Sequence, residues 1–128
     1  MGLEIKVTKK QEGEFVISPV GSIDSVTYLE LEKVLLPILK SFCKVLVFNM
    51  EGINYISSLG IGVFIKTRKL IQERGGIFIM SNLLPQIKMA FDVIKALPAT
   101  AVFADLKEVD EYLSAIQKKA IEREKGAL

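Results

Sequence analysis

The sequence contains no histidine and no tryptophan, and its only cysteine is Cys43. Without histidine, the Ser/His/Asp and Cys/His nucleophile arrangements are excluded, together with histidine metal sites. A single cysteine can neither close an internal disulfide nor build a cysteine-rich zinc cluster. Cys43 falls between an expected helix and an expected strand, where a small apolar side chain serves as core filler. Charge of one sign is also scarce: 17 lysines and arginines against 15 acids leave a net charge of +2. That balance implies no nucleic-acid partner. Apolar runs are short, and "VLVF" at 45–48 is far below the ~20 residues of a membrane span. The opening "MGLEIKVTKK" has no apolar signal core. A cytoplasmic protein without a membrane partner is expected.

Half of the 128 residues are apolar and a quarter are charged, the proportions of an ordinary globular chain. A chain of this length buries about two-thirds of its unfolded surface around one core. One domain, 1–128, is therefore expected, with its core over about residues 3–117 and a charged helical tail at 118–128.

"LEIKV" alternates apolar and polar residues, and "EFVISPVG" follows the turn-like "KKQEGE", which predicts two strands in a hairpin-like connection. Pro19 predicts an edge, a bulge or an early end in the second strand. In "GSIDSVTYLELEKVLLPILKS" the spacing of Tyr28, Leu31, Leu35 and Ile38 is helical, Asp24 or Ser25 can cap the start, and Pro37 should kink or shorten the helix. "KVLVFNM" is a continuous β-branched run, the pattern of a strand buried on both faces. A helix from about Ser58 to Arg74, a "RGG" cap and a buried strand "IFIMSN" follow. A further helix begins near Leu84 and Pro85, with Ile87, Ala90, Phe91 and Ile94 on one face, and "AVFA" is a short last strand. Leu106, Val109, Leu113, Ile116 and Ala120 then form one stripe of a long C-terminal helix. The predicted class is α/β: a mixed sheet whose first hairpin is antiparallel, covered by about four helices.

The stretch "NYISSLGIG" carries the chemistry. In an α/β unit, modifications and ligands gather where a strand ends and the next helix presents unpaired N–H groups and the positive end of its dipole. Ser57 and Ser58 stand at that junction, where a serine oxygen can also simply cap the helix. Gly60 and Gly62 both suit close approach of helix to sheet. A lone GxG is weak evidence for phosphate binding, and no Walker lysine follows. The acids fall mostly among lysines on helix faces, as in "LELEK" and "KEVDEY", the pattern of solvated faces rather than a catalytic carboxylate pair.

"VLVFNMEGINYISSLGIGVFIKTRKLIQERGG" resembles the core of the STAS domain, specifically the bacterial anti-sigma factor antagonists. That family has a motif of the form D-S-S/T/A-G-L-G whose second position is a phosphorylated serine. Alignment on Gly60, Ile61 and Gly62 places Ser58 at the phosphoacceptor position and Ser57 where the family usually has aspartate. Two candidate hydroxyls result. "FVISPVGSIDSVTYLELE" is similar to the family's second strand and G-x-L-D turn, through Gly21, Ile23 and Asp24, and "IFIMSNLLPQIKMAFDVIKAL" to its next strand and helix.

The resemblance implies a binding module rather than an enzyme. Unphosphorylated, it would bind an anti-sigma factor that is also an ATP-dependent serine kinase, and so release a sigma factor. The kinase would phosphorylate Ser58, or alternatively Ser57, and break the complex; a PP2C-type phosphatase would restore it. Asp24, Ser57, Ser58, Leu59 and Gly60 are the expected partner-binding residues, and neither a cofactor nor a metal is implied. A constitutive scaffold in a stress-signalling assembly and a small-ligand or nucleotide binder are the alternative readings. A homodimer through the C-terminal helix is a further expectation.

Overall fold

The structure, a computed structural model, describes residues 2–93 and 101–126, with side chains of the second stretch from 102 to 119. Its spine is β2 (Glu14–Ile23), which pairs antiparallel with β1 (Glu4–Gln11) through a turn at Gly13, whose φ of 78° suits glycine. On its other side β2 has two neighbours in succession. β3 (Val45–Asn49) pairs in parallel with Glu14–Ile17, and β4 (Gly52–Ile56) pairs in parallel with Val20–Ile23. Pro19 lies between the two ladders, so β2 does not end there, and its missing N–H falls where the neighbour changes. β5 (Ile77–Ser81) and β6 (Ala101–Phe103) extend the sheet in parallel, giving the order β1-β2-β3-β5-β6 with β4 beside β2.

β4 is an element that sequence reasoning left as a connection. Its register slips against β2 between Gly21 and Ser22, so Asn54 has no partner in the ladder. Asn54 and Tyr55 are consecutive exposed residues. The period-two signal of a strand is erased by that bulge.

Among the described residues four helices cover the sheet: α1 (Tyr28–Lys40), α2 (Ser58–Glu73), α3 (Pro85–Val93) and α4 (Leu106–Gly126). Leu31, Leu35 and Ile38 of α1 are buried as their spacing predicts, and the helix runs through Pro37 to Lys40 rather than stopping at it. Burial of Leu35 and Ile38 on either side of the proline holds the last turn. α1 packs beside α2, and α3 against β4. The opposite face carries a smaller cluster, in which Val109 and Leu113 of α4 cover Val45, Val47 and Ile79. Ile94 and the Ala120 side chain, expected on the stripes of α3 and α4, lie outside the described residues. No helix among the described residues is long and apolar enough to cross a membrane.

An aromatic chain links sheet to helices: Phe48 and Phe64 meet edge to face with centroids 4.8 Å apart, and Phe64 meets Phe91 at 5.7 Å. All three side chains are fully buried. Phe64→Ala should cost about 3–5 kcal/mol, a large part of a total of about 5–15. Urea unfolding would read this as a lowered midpoint with unchanged slope; a midpoint near wild type would show that the cluster contributes little. Cys43 is buried, as core filler would be, and burial pushes its thiol pKa up while the Arg74 charge partly opposes this.

Candidate functional site

The site is assembled where β2 and β4 end side by side. Ile23 pairs with Ile56 as the last rung of their ladder. The next residues, Asp24 on one chain segment and Ser57 on the other, therefore emerge together from the carboxyl end of the sheet. One more bond fixes them: the Ser57 N–H donates to the Ile23 carbonyl at 2.8 Å.

Ser57 has extended backbone (φ −89°, ψ 169°) and its Oγ accepts the Gly60 N–H at 3.2 Å, while its carbonyl accepts from the Ile61 N–H at 2.9 Å. It is the N-cap of α2, and its hydroxyl oxygen is committed to that task. Ser58 is the first helical residue and is exposed, and its hydroxyl makes no hydrogen bond among the described residues. The amides of Ser58 and Leu59 come before Ile61, the first backbone donor of the helix ladder, and are free as well. No acidic residue occupies the first turn of α2. A negative group on Ser58 would thus meet a helix N-terminus with vacant donors and no like charge on the same turn.

Gly60 is buried against the end of the sheet. A Cβ there would lie 2.6 Å from Ile23 Cγ2 and 2.9 Å from Ile56 Cγ1, so only glycine lets α2 begin so close to both strands. Gly62 differs from expectation: a Cβ there would meet nothing within 4 Å, because this glycine points to solvent rather than to the sheet. Beside the serines, Leu59 is 48% exposed and Val26, in the turn after Asp24, is 72% exposed.

Asp24 caps a turn rather than α1 itself. Its Oδ1 accepts the Val26 and Thr27 N–H groups, each at 2.9 Å, and the helix proper starts at Tyr28 after an N-cap, Thr27, whose side chain makes no capping bond. The Thr27 amide, then the Val26 amide, hold the Asp24 pKa below its ordinary value. Such a depressed carboxylate adds stability above its unfolded pKa, and this is lost as pH falls through the folded one. Ser25, the other cap candidate, has no such role among the described residues.

Three residues escaped the sequence reading. The Thr27 hydroxyl donates to the Ser22 carbonyl at 2.7 Å and accepts the Asp24 N–H at 2.9 Å. Ser22 Oγ donates to Asn54 Oδ1 at 2.8 Å across the bulge. The D-x-x-T spacing of Asp24 and Thr27, a reciprocal capping pattern, was the available signal for the first of these.

A model of the STAS domain matches residues 6–109, most of the chain. The chain belongs to the STAS domain family. This STAS chain is 32% identical over 73 residues to the anti-sigma-B factor antagonist of Staphylococcus aureus, covering 57% of this chain and 67% of that protein. It is 26% identical over 93 residues to the anti-sigma-B factor antagonist of Bacillus subtilis, covering 73% and 84%. Its fold is that of the anti-sigma factor antagonist SpoIIAA in its unphosphorylated form, with a TM-score of 0.74 at 14% identity over 87% of this chain and 97% of that one. The phosphorylated form of SpoIIAA, described as a Bacillus cell fate determinant, gives 0.68 at 14% identity over 85% and 99%. At such identity the structural likeness shows the fold of this STAS domain and nothing finer.

Proposed function

We propose that this STAS protein is an anti-sigma factor antagonist whose binding is switched by phosphate on Ser58. The division of labour between the two serines carries the reading. Ser57 spends its oxygen on the Gly60 amide, whereas Ser58 is exposed with an uncommitted hydroxyl beside free amides. Phosphate there would add about −1.5 to −2 charge and strong acceptor oxygens that the helix start can hold without refolding the domain. The partner, an anti-sigma factor that is also a serine kinase, fits around a neutral hydroxyl flanked by apolar Leu59. It would then have to desolvate a dianion, and a few kcal/mol is orders of magnitude in affinity.

In this scheme the chain is substrate and binding module, with no turnover of its own, and a PP2C-type phosphatase resets it. The contact surface comprises Asp24, Ser57, Ser58, Leu59 and Gly60, in one cytoplasmic domain free to pair with a second copy through α4.

Phosphopeptide mapping of the protein from its own host, before and after phosphatase treatment and with Ser58→Ala as control, tests the switch. Phosphatase-sensitive phosphate on Ser58 is expected. Phosphate on Ser57 would move the switch to the neighbouring residue. Its absence under every growth condition would favour a constitutive STAS scaffold, a reading that serine in place of the family aspartate at position 57 also supports.

A further inference from the structure

Two consecutive carbonyls of β2 hold the two halves of the site. The Ile23 carbonyl takes the Ser57 N–H, which fixes the start of α2, and the Ser22 carbonyl takes the Thr27 hydroxyl, which fixes the Asp24 turn. We propose that Thr27 is the positioning residue of the recognition surface: its buried hydroxyl fastens the Asp24 turn to β2 and aims the free oxygen of the Asp24 carboxylate at a cationic side chain of the partner.

Thr27 is only 7% exposed, although it lies in a turn among exposed residues. A buried hydroxyl must find partners, and this one finds two. Its single hydrogen goes to Ser22 at 2.7 Å, the shorter of its two acceptor contacts; the other, to Asp24 Oδ1, is 3.2 Å. Its lone pair receives the Asp24 amide, and its own amide returns to Asp24 Oδ1. Asp24 and Thr27 therefore grip each other at both ends, and beyond the chain's own path from Ile23 into Asp24 it is the Thr27 hydroxyl that hydrogen-bonds the pair back to the strand. All of this is spent on Oδ1; Oδ2 has no hydrogen bond among the described residues, and Asp24 keeps partial exposure. A carboxylate whose one oxygen is immobilised presents the other in a single direction. Preorganisation of this kind strengthens a charge-assisted bond because the side chain need not be ordered on binding.

The network reaches further. Ser22, whose carbonyl anchors Thr27, also donates through its hydroxyl to Asn54, two residues before the β4 terminus at Ile56. The Asp24 turn and the Ser58 helix start are thereby braced against the same pair of strands. A kinase partner would meet the acceptor hydroxyl and the guiding carboxylate in one fixed relation.

The recognition role rests on the proposed function, but the positioning itself is readable in the free chain. Isotope-labelled wild type, Thr27→Val and Thr27→Ser would be compared by NMR, following the Asp24 carboxyl carbon against pH and the amides of Val26 and Gly60. In Thr27→Val the Asp24 titration should move up towards that of an ordinary aspartate and the Val26 amide should lose exchange protection, while Gly60 stays in place and Thr27→Ser restores both. An unchanged Asp24 titration in a folded Thr27→Val chain would overturn the positioning role; should that variant unfold, Thr27→Cys, which keeps the shape and weakens the bond, gives the same two readings. Affinity for the anti-sigma factor kinase should fall about tenfold in Thr27→Val, the worth of one directed polar contact, and return in Thr27→Ser. Equal affinity for wild type and Thr27→Val would overturn the recognition role. A wild-type chain that binds no such kinase would defeat the functional reading alone, leaving the titration to decide on Thr27.

Discussion

Ser58→Glu is expected to lower affinity for the anti-sigma factor partner by at least about a hundredfold, a loss of roughly 2.7 kcal/mol, and to leave the fold slightly more stable. The two effects have opposite signs for one reason. A carboxylate at the first position of α2 meets free amides and the positive end of the helix, worth about 0.3–1 kcal/mol to the isolated domain. The same charge on a surface shaped for a neutral hydroxyl must be desolvated when the partner docks. Ser57→Ala should have the opposite effect on stability. It removes the cap on the Gly60 amide, which costs about 1 kcal/mol and lowers Tm by a few degrees, while the acceptor at Ser58 stays available. Calorimetric titration and thermal melts of both variants would check this. Loss of binding in both, or destabilisation by Ser58→Glu, would mean that the two hydroxyls do not divide the work as the geometry indicates.

The two glycines of α2 should respond just as differently. At Gly60 an added methyl would sit 2.6 Å from Ile23 Cγ2, 2.9 Å from Ile56 Cγ1 and 3.2 Å from the Ile23 carbonyl oxygen. Neither a methyl on a β-branched carbon nor a backbone oxygen can swing aside, so the helix start must move. Overpacking of this sort costs about 1–3 kcal/mol, more than alanine returns in helix propensity. Gly60→Ala should therefore lower Tm and slow phosphorylation of Ser58 by displacing it. At Gly62 nothing opposes the methyl, and Gly62→Ala should gain about 1 kcal/mol and raise Tm by several degrees. Differential melts with a kinase assay on the same two proteins decide it, and a rise in Tm for both would show that α2 can retreat from the sheet at no cost.

The contrast between these glycines also marks where the sequence was legible. The apolar runs at Val45–Asn49 and Ile77–Ser81, and the spacing of Leu31, Leu35 and Ile38, state their own burial, and the structure places them so. The family pattern located the serines. It could not say which of Gly60 and Gly62 touches the sheet, since that depends on the rotation of α2 over Ile23 and Ile56. β4 was hidden because its bulge sets Asn54 and Tyr55 both outward. Pro37 does not stop α1: it forfeits one N–H, but the buried residues on either side carry the helix on to Lys40. The burial of Thr27 was invisible for a related reason. A threonine in a turn reads as solvent-facing, and only the path of β2 beneath it shows that its hydroxyl is sealed in.

The way β2 divides its pairing between β3 and β4 has a consequence for how the chain matures. Most of the strand contacts are parallel and distant in sequence, the kind that must wait for loops to close and that form late. The Ile23–Ile56 rung, which brings Asp24 beside Ser57, is among them. A nascent or damaged chain that has not closed this rung carries the same serines and the same aspartate, but not in register. The proposed recognition surface thus depends on a long-range closure, and a partner that reads both halves at once would bind only those chains in which the Ile23–Ile56 rung has formed.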